Sequence, residues 1–280
     1  IPAEIELDSS RRADPKGRLF LVAVGMSENA DAKLNLPQAS RDARSLADLV
    51  QLRSAALYDR VDVIALLGKD ATRARLKDTL LDVGSLSQPQ DTVMLVVCGR
   101  GTMLGDHLYL APSGLRPGTA GWENDFRTQG LAGDELAALL GNARALNRVL
   151  ILDAANPSSV GTNEKPKPSG FALRAAVERW SRTQGVYAIA ACAGTSAARP
   201  AGETSPGLLT ALLLDSAGRT SGPLAPSAAS RDLGNAISVI EWFNTAAERA
   251  GPLLESRGLD PYAVQQSSKP KGFPLLVSTK

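Results

Sequence analysis

Short runs of consecutive apolar residues recur along this chain, and longer amphipathic segments separate them. A strand that is apolar on both faces must be covered on both faces, which is typical of parallel sheets built from strand–helix repeats. Six such runs are present, at 19–24, 61–67, 92–97, 148–153, 186–191 and 275–278. The pattern therefore predicts an α/β fold of three layers, in which helices cover both faces of a six-stranded, mostly parallel sheet.

The amphipathic segments between these runs predict the helices. We expect helices at about 40–54, 71–83, 133–143, 170–182, 206–217 and 232–250. Pro, Gly and Ser are concentrated in three stretches, which predict long loops at 112–121, 156–170 and 218–230. Ligands of parallel sheets collect beyond the carboxyl ends of the strands, so the segments after Val97, Asp153 and Ala191 are expected to converge on a cleft.

Composition argues against several classes of function. The 280 residues carry a formal net charge of +2 and 44% hydrophobic side chains, so the chain can build one large core and has no charge excess that points to nucleic acid. No apolar run approaches the roughly 20 residues that cross a bilayer, so we predict no membrane segment. Because the chain opens without an initiator Met, we expect one domain, 1–280, excised from a longer polypeptide.

The cysteines and the histidine give little sign of redox or metal chemistry. Cys98 and Cys192 each end an apolar run, where a thiol is usually a small buried side chain rather than half of a disulfide. This use of cysteine predicts a reducing, cytoplasmic location. His107 is the only histidine and is expected in a loop or hairpin. One imidazole without a cysteine cluster does not support a zinc-type site, and we predict no cofactor.

Two segments carry the strongest functional pattern. In DTVMLVVCGRGTMLGDHLYLAP (91–112) and in RVLILDAANPSS (148–159), a buried strand runs into small residues. They resemble the two catalytic segments of the caspase-like cysteine peptidases, in the metacaspase and bacterial orthocaspase branch. Further segments resemble that family in the same order, at 18–50, 185–198, 203–217 and 265–276. Where the family has its catalytic His and Cys, this chain has Arg100 and Ala155.

These two replacements remove the chemistry of a cysteine peptidase. Such an enzyme needs a thiolate nucleophile and an imidazole that transfers protons near neutral pH. Alanine has no nucleophilic atom, and the guanidinium of arginine stays protonated, so it can neither accept a proton nor return one. The resemblance therefore implies a pseudo-peptidase, not an enzyme, that acts by binding a protein or peptide as a monomer or weak dimer.

Other interpretations of these residues stay open. Ala155 could be an engineered inactivation of an active Arg- or Lys-specific peptidase, although Arg100 and residues 156–158 indicate natural divergence. A non-standard nucleophile is a second alternative, with His107 as the sole imidazole base. Its candidates are Ser158, Ser159, Cys98 and Cys192. A third alternative is a structural module whose cleft has collapsed.

The resemblance also implies an acidic pocket for a basic side chain. Metacaspases bind Lys or Arg through two acids that match Asp42 and Asp153, and we assign these two residues and Cys98 to the pocket. Two carboxylates would favour a cation through charge-assisted hydrogen bonds. Alternatively, Asp42 complements a helix dipole and Asp153 accepts backbone hydrogen bonds at a strand end. Arg100 is expected to pair with Asp153 and so to block the pocket.

Calcium and proteolytic activation, which the resemblance raises, are not assigned to residues. Asp106, Glu123, Asp125 and Asp134 fall near the region where the family's calcium site lies, so calcium is possible, but no ligand is assigned to it. The basic segment 163–168 has Pro after each Lys, and we expect a plain surface loop rather than an activation site.

Overall fold

The computed structural model describes residues 16–116, 118, 119, 121–156, 170–194, 206–218, 236–256, 263–269 and 271–277. The strands within them are β1 (Arg18–Gly25), β2 (Arg60–Leu67), β3 (Thr92–Leu104), β4 (His107–Leu110), β5 (Leu131–Ala132), β6 (Asn147–Asn156), β7 (Tyr187–Gly194), β8 (Ala236–Ser238), β9 (Val264–Gln266) and β10 (Pro274–Val277). The α-helices are α1 (Gln38–Ser54), α2 (Arg73–Leu86), α3 (Trp122–Gln129), α4 (Gly133–Gly141), α5 (Gly170–Gln184), α6 (Leu208–Gly218) and α7 (Val239–Ser256).

The central sheet has the strand order β2-β1-β3-β6-β7-β9. The first five of these strands pair in parallel, and β9 runs antiparallel to β7. At its far end β3 pairs with β4, which in turn pairs with β5. The predicted α/β architecture with a six-stranded, mostly parallel sheet is therefore confirmed.

Helices cover both faces of this sheet because alternate residues of each buried strand point to opposite sides. On one side Leu21, Val96 and Ile151 share a buried cluster with side chains of α1, α6 and α7. On the other side Val22 and Leu95 share a second buried cluster with α2, α4 and α5. The three predicted layers are thus two helical layers with the sheet between them.

The sixth strand of the sheet is not the one that the sequence predicted. Residues 274–277 form β10 and pair with β8 in a separate two-stranded sheet, while β9 takes the sixth position. The carbonyl oxygen of Leu275 accepts a hydrogen bond from Ser54 Oγ at 2.6 Å, and that of Pro274 accepts one from the Tyr58 hydroxyl at 3.3 Å. The apolar run is therefore a strand, but it lies against the end of α1 and the residues that follow this helix. Residue 278 falls outside the described part of the chain.

Strand β3 continues to Leu104, past the turn that was predicted after Val97. Gly99 and Gly101 allow close packing rather than a turn. A Cβ atom on Gly99 would lie 2.9 Å from Met26 Cβ, and one on Gly101 would lie 2.8 Å from Ala154 Cβ. The chain turns instead at Gly105, whose φ of 64° suits glycine, and returns as β4.

The predicted loops have different outcomes. Most of 156–170 and of 218–230 lies outside the described residues. The remaining predicted loop, 112–121, is followed directly by helix α3, which was not predicted. In the parts of the chain that the structure describes, no helix is long and apolar enough to cross a bilayer.

Candidate functional site

Positions 100 and 155 lie side by side in the sheet. The parallel register of β3 and β6 pairs Cys98 with Asp153 and Arg100 with Ala155. Residues two apart in a strand share a face, so all four side chains lie on the face that α1 and α6 cover. The fold therefore brings together positions 100 and 155, which the resemblance described above singled out.

Backbone carbonyls hold the side chain of Arg100. It is buried, and its Nε and Nη2 atoms donate to the carbonyl oxygens of Leu34 and Asn35 at 3.2 and 3.3 Å. The expected ion pair with Asp153 does not form between these two described residues. The guanidinium reaches toward the segment before α1, whereas Asp153 receives its hydrogen bonds from α6, so Arg100 does not block the acids by pairing with them.

The two acids assigned to the pocket meet beneath the first turn of α6. The amide of Gly207 donates to Asp42 Oδ2 at 2.9 Å, and the amide and hydroxyl of Thr210 donate to Asp153 Oδ2 at 2.8 and 2.7 Å. The first amides of a helix have no partner within the helix and carry partial positive charge. Both carboxylates satisfy such donors, so α6 is seated directly on them.

There is little space between these acids and the helix. A Cβ atom on Gly207 would overlap Asp153 Oδ2 and lie 3.2 Å from Asp42 Oδ2. Asp42 is 4% exposed and Asp153 is 8% exposed. Gln38 Nε2 donates to Asp42 Oδ1 at 2.7 Å, while its Oε1 is buried without a hydrogen-bond donor among the described residues. The cluster therefore holds two carboxylates and one buried amide oxygen to which no described residue donates.

Burial changes the acidity of the groups in this cluster. It raises the pKa of Asp153 above its ordinary value, although hydrogen bonds from Thr210 and Leu209 oppose the change. Burial, together with the charges of Asp153 and Asp42, raises the pKa of the Cys98 thiol well above its usual range. Cys98 therefore stays a protonated thiol, and its sulfur lies 3.8 Å from the Thr210 hydroxyl oxygen.

The other candidate nucleophiles are no better placed. Cys192 belongs to the cluster on the opposite face of the sheet, and burial raises its pKa to about 12. Ser158 and Ser159 lie outside the described residues. Neither cysteine is part of a disulfide, as the sequence predicted. A thiolate at either position would have to form in a buried setting that disfavours charge, and at Cys98 it would also form beside two carboxylates.

His107, the only imidazole, takes part in a different network. It opens β4 in the predicted hairpin, its side chain is 51% exposed, and its Nδ1 lies 2.7 Å from Asp134 Oδ2. Asp134 also accepts hydrogen bonds from Arg179 Nε at 2.8 Å and from Trp180 Nε1 at 3.0 Å. This network ties the hairpin to α4 and α5, on the face of the sheet opposite to Cys98 and Ala155.

The acids considered for calcium do not form one cluster. The Asp125 carboxylate accepts the amide of Gly118 at 3.0 Å, Asp134 belongs to the histidine network, and Asp106 contributes its carbonyl oxygen to Arg179. No group of three His, Cys, Asp or Glu side chains in the described part of the chain is arranged to hold a metal ion.

Sequence reasoning missed Gln38, Gly207 and Thr210. The spacing of Gln38 and Asp42, four residues apart at a helix start, is a signal that could have paired them. The Pro-Gly step before Leu208 marks a helix start, but nothing local shows which acids its amides will meet.

No protein-family model and no curated protein matches this chain. Among solved structures, a protein from Geobacter sulfurreducens, GSU0716, is similar at a TM-score of 0.48 and 16% identity, over 94% of each chain. The structure of pro-Sf-caspase-1 is similar at a TM-score of 0.48 and 11% identity, over 95% of this chain and 93% of that one. Neither likeness assigns the chain to a family.

Proposed function

We propose that this chain is a caspase-like pseudo-peptidase domain that binds a protein or peptide without cleaving it. The observation that carries the proposal is the pairing of Arg100 with Ala155 across β3 and β6. A thiol and an imidazole at these two positions would be neighbours, as a cysteine peptidase requires. The residues present offer neither a nucleophile nor a group that exchanges protons near neutral pH.

The remaining thiols and the histidine support the same conclusion. Cys98 is protonated and buried against Thr210, and Cys192 lies on the other face of the sheet. His107 is engaged with Asp134 on that other face, beyond hydrogen-bond reach of Cys98. A general base has to reach its nucleophile directly or through one water molecule. The alternative of an active enzyme with a non-standard nucleophile therefore has no support among the described residues.

The ligand that fits the acidic cluster is a peptide with an Arg or Lys side chain. Asp42 and Asp153 supply two carboxylates, and Gln38 supplies a buried oxygen that has no donor among the described residues. A guanidinium or ammonium group would provide that donor and pair with the acids. Because the Gly207 and Thr210 amides now occupy both carboxylates, binding of a cation would share these oxygens or displace the first turn of α6.

Turnover measurements test the loss of catalysis. We expect no cleavage of fluorogenic peptides ending in Arg or Lys, with or without calcium. The Arg100→His/Ala155→Cys double variant should be measured alongside, because it places an imidazole and a thiol at paired positions of β3 and β6. Cleavage by the unmodified chain that disappears in an Asp153→Asn variant would contradict the proposal, since a contaminating peptidase would not respond to that substitution.

Peptide binding tests the acidic cluster separately. A fluorescein-labelled Gly-Gly-Arg peptide should bind at least about tenfold more tightly than its citrulline analogue, which lacks the charge but keeps the shape. Asp42→Asn should remove this preference, whereas Asp48→Asn, at an exposed position of the same helix, should retain it. Equal affinities for the two peptides would show that the acids serve only to seat α6.

A further inference from the structure

Two basic side chains, Arg148 and Lys269, lie at the amino ends of β6 and β7. Arg148 Nη2 donates to the carbonyl oxygen of Ala143 at 2.9 Å, and its Nη1 donates to that of Gln184 at 3.4 Å. Lys269 Nζ donates to the carbonyl oxygen of Gly185 at 2.7 Å. These carbonyls lie at the ends of α4 and α5, where helices carry partial negative charge. The ends of two helices therefore hold both cations in place.

The two cations are close enough to act on each other. Burial and the positive charge of Arg148 both lower the pKa of Lys269. Among the described residues, neither side chain pairs with a carboxylate. Glu178, an acid of the same region, instead accepts the amide of Ser268 at 2.9 Å and lies 3.7 Å from Arg182. The described part of the chain therefore gives this pair no counter-charge of its own.

Gly185 leaves space beside these charges. Its φ of 69° suits glycine, and a Cβ atom added there would lie 3.5 Å from Arg148 Nη1. Apart from the adjoining residues, no other described atom lies within 4 Å of that position. The ring of Tyr187 packs against the ammonium group of Lys269, with its centroid 4.3 Å from Nζ. A small ligand can therefore approach the guanidinium through this space.

Most N–H groups of the pair are left for a ligand. A guanidinium has five N–H donors and an ammonium group has three. The hydrogen bonds to described residues use two donors of Arg148 and one of Lys269. Arg148 Nε is buried without an acceptor among these residues, which is unfavourable for a charged donor. A ligand that supplies acceptor oxygens and negative charge would therefore stabilise the pair.

We propose that Arg148 and Lys269 form a binding site for a phosphate group. A phosphate group carries close to two negative charges at neutral pH and at least three acceptor oxygens, which matches two cations with several remaining donors. A carboxylate has one charge and would leave one cation without a counter-charge. Arg148 lies near the amino end of β6 and Asp153 nearer its carboxyl end, so this site is separate from the acidic cluster.

Lysine acetylation of the unmodified chain tests the proposal. Only the neutral amine reacts with acetic anhydride, and a bound phosphate favours the protonated form of Lys269. At pH of about 7.5, about 10 mM sodium phosphate should slow acetylation of Lys269 at least about threefold, relative to sodium chloride of the same ionic strength. Lys271, exposed on the same segment, is the control and should react at the same rate in both salts. Mass spectrometry of peptides measures the two rates.

Two matched substitutions locate the phosphate. Arg148→Gln should abolish the protection of Lys269, because it removes one of the two charges. Arg44→Gln, at an exposed position of α1 in the other helical layer, should keep the protection. Arg148 also contacts two helix ends, so urea unfolding must first show that its variant is folded; the measurement on the unmodified chain holds without it. Full protection in a folded Arg148→Gln variant would overturn the proposal.

A further comparison distinguishes two sources of the phosphate group. A phosphoserine peptide, its unphosphorylated form and inorganic phosphate should be titrated in the same acetylation assay. Protection of Lys269 by the phosphopeptide at the lower concentration would identify a phosphorylated protein as the source. Protection by inorganic phosphate at an equal or lower concentration would identify a free phosphate compound. Protection by neither, or equal protection of Lys271, would overturn the proposal and leave the two cations with the helix ends alone.

Discussion

The amide and the hydroxyl of Thr210 both donate to one oxygen of Asp153, at 2.8 and 2.7 Å. Thr210 is fully buried in α6, and Asp153 lies two residues before Ala155 on β6. This contact therefore fixes the start of α6 near the carboxyl ends of β3 and β6, where Arg100 and Ala155 lie side by side.

Removing the Thr210 hydroxyl should destabilise the fold. Thr210→Val keeps the shape of the side chain but leaves the buried carboxylate of Asp153 with one donor fewer, which costs about 1–3 kcal/mol of unfolding free energy. Thr210→Ser keeps the hydroxyl and loses only a methyl group. Urea unfolding of the two variants measures the difference, and equal stabilities would show that the hydroxyl does not hold the acid.

An added methyl group at Gly207 should displace α6. Gly207→Ala puts a Cβ atom into the space of Asp153 Oδ2, and overpacking of this kind typically costs about 1–3 kcal/mol. The matched control is Gly84→Ala in α2, where the nearest atom to a Cβ would be Ala143 Cα at 3.5 Å. That variant should be neutral or gain up to about 1 kcal/mol from helix propensity. Similar thermal unfolding of both variants would contradict the tight seating of α6.

The raised pKa of Asp153 predicts a particular pH dependence. The folded state holds this proton more tightly than the unfolded chain, so the ionised carboxylate costs stability above the raised pKa. That cost disappears as the pH falls through the raised pKa toward the ordinary value of 3.8. Asp153→Asn cannot titrate, so the stability of the original chain relative to this variant should increase between pH of about 7 and about 4. Urea unfolding measures the difference in unfolding free energy between the two proteins. A difference that stays constant or decreases as the pH falls would contradict the prediction.

Asp134 should show the opposite dependence. Burial raises its pKa, but hydrogen bonds from Arg179, His107 and Trp180 outweigh burial and lower the pKa below 3.8. The stabilisation from its ionised form is therefore present above that ordinary value and is lost as the pH falls through the lowered pKa. The advantage of the original chain over Asp134→Asn should shrink in acid, below pH of about 4, in the same unfolding series.

Both cysteines should be unreactive in the folded protein. Burial holds Cys98 and Cys192 as thiols, and the thiolate is the reactive form. Iodoacetamide at pH of about 8 should therefore modify neither residue, whereas both should react in urea. A cysteine at the half-buried position 155, in Ala155→Cys, should be modified once under native conditions. Mass spectrometry of peptides identifies the modified cysteine. Rapid labelling of Cys98 in the folded protein would contradict the prediction and make Cys98 a candidate nucleophile again.

The strands of the core could be predicted from the sequence because apolar runs are a local signal. The runs at 19–24, 92–97 and 148–153 became β1, β3 and β6, and their alternation set the two covered faces. Once those strands are parallel neighbours, their carboxyl ends lie together, which is why the segments after Val97 and Asp153 could be expected to meet.

Only the tertiary structure decided which groups those segments contact. The bond from Gly207 to Asp42 joins residues 165 positions apart, and the one from Ser54 to Leu275 joins residues 221 apart. Such contacts depend on how helices and strands pack, which no local pattern encodes. The same reason explains why the run at 275–278 was recognised as a strand but assigned to the wrong sheet, and why Arg100 was expected to meet Asp153 when backbone carbonyls before α1 hold it instead.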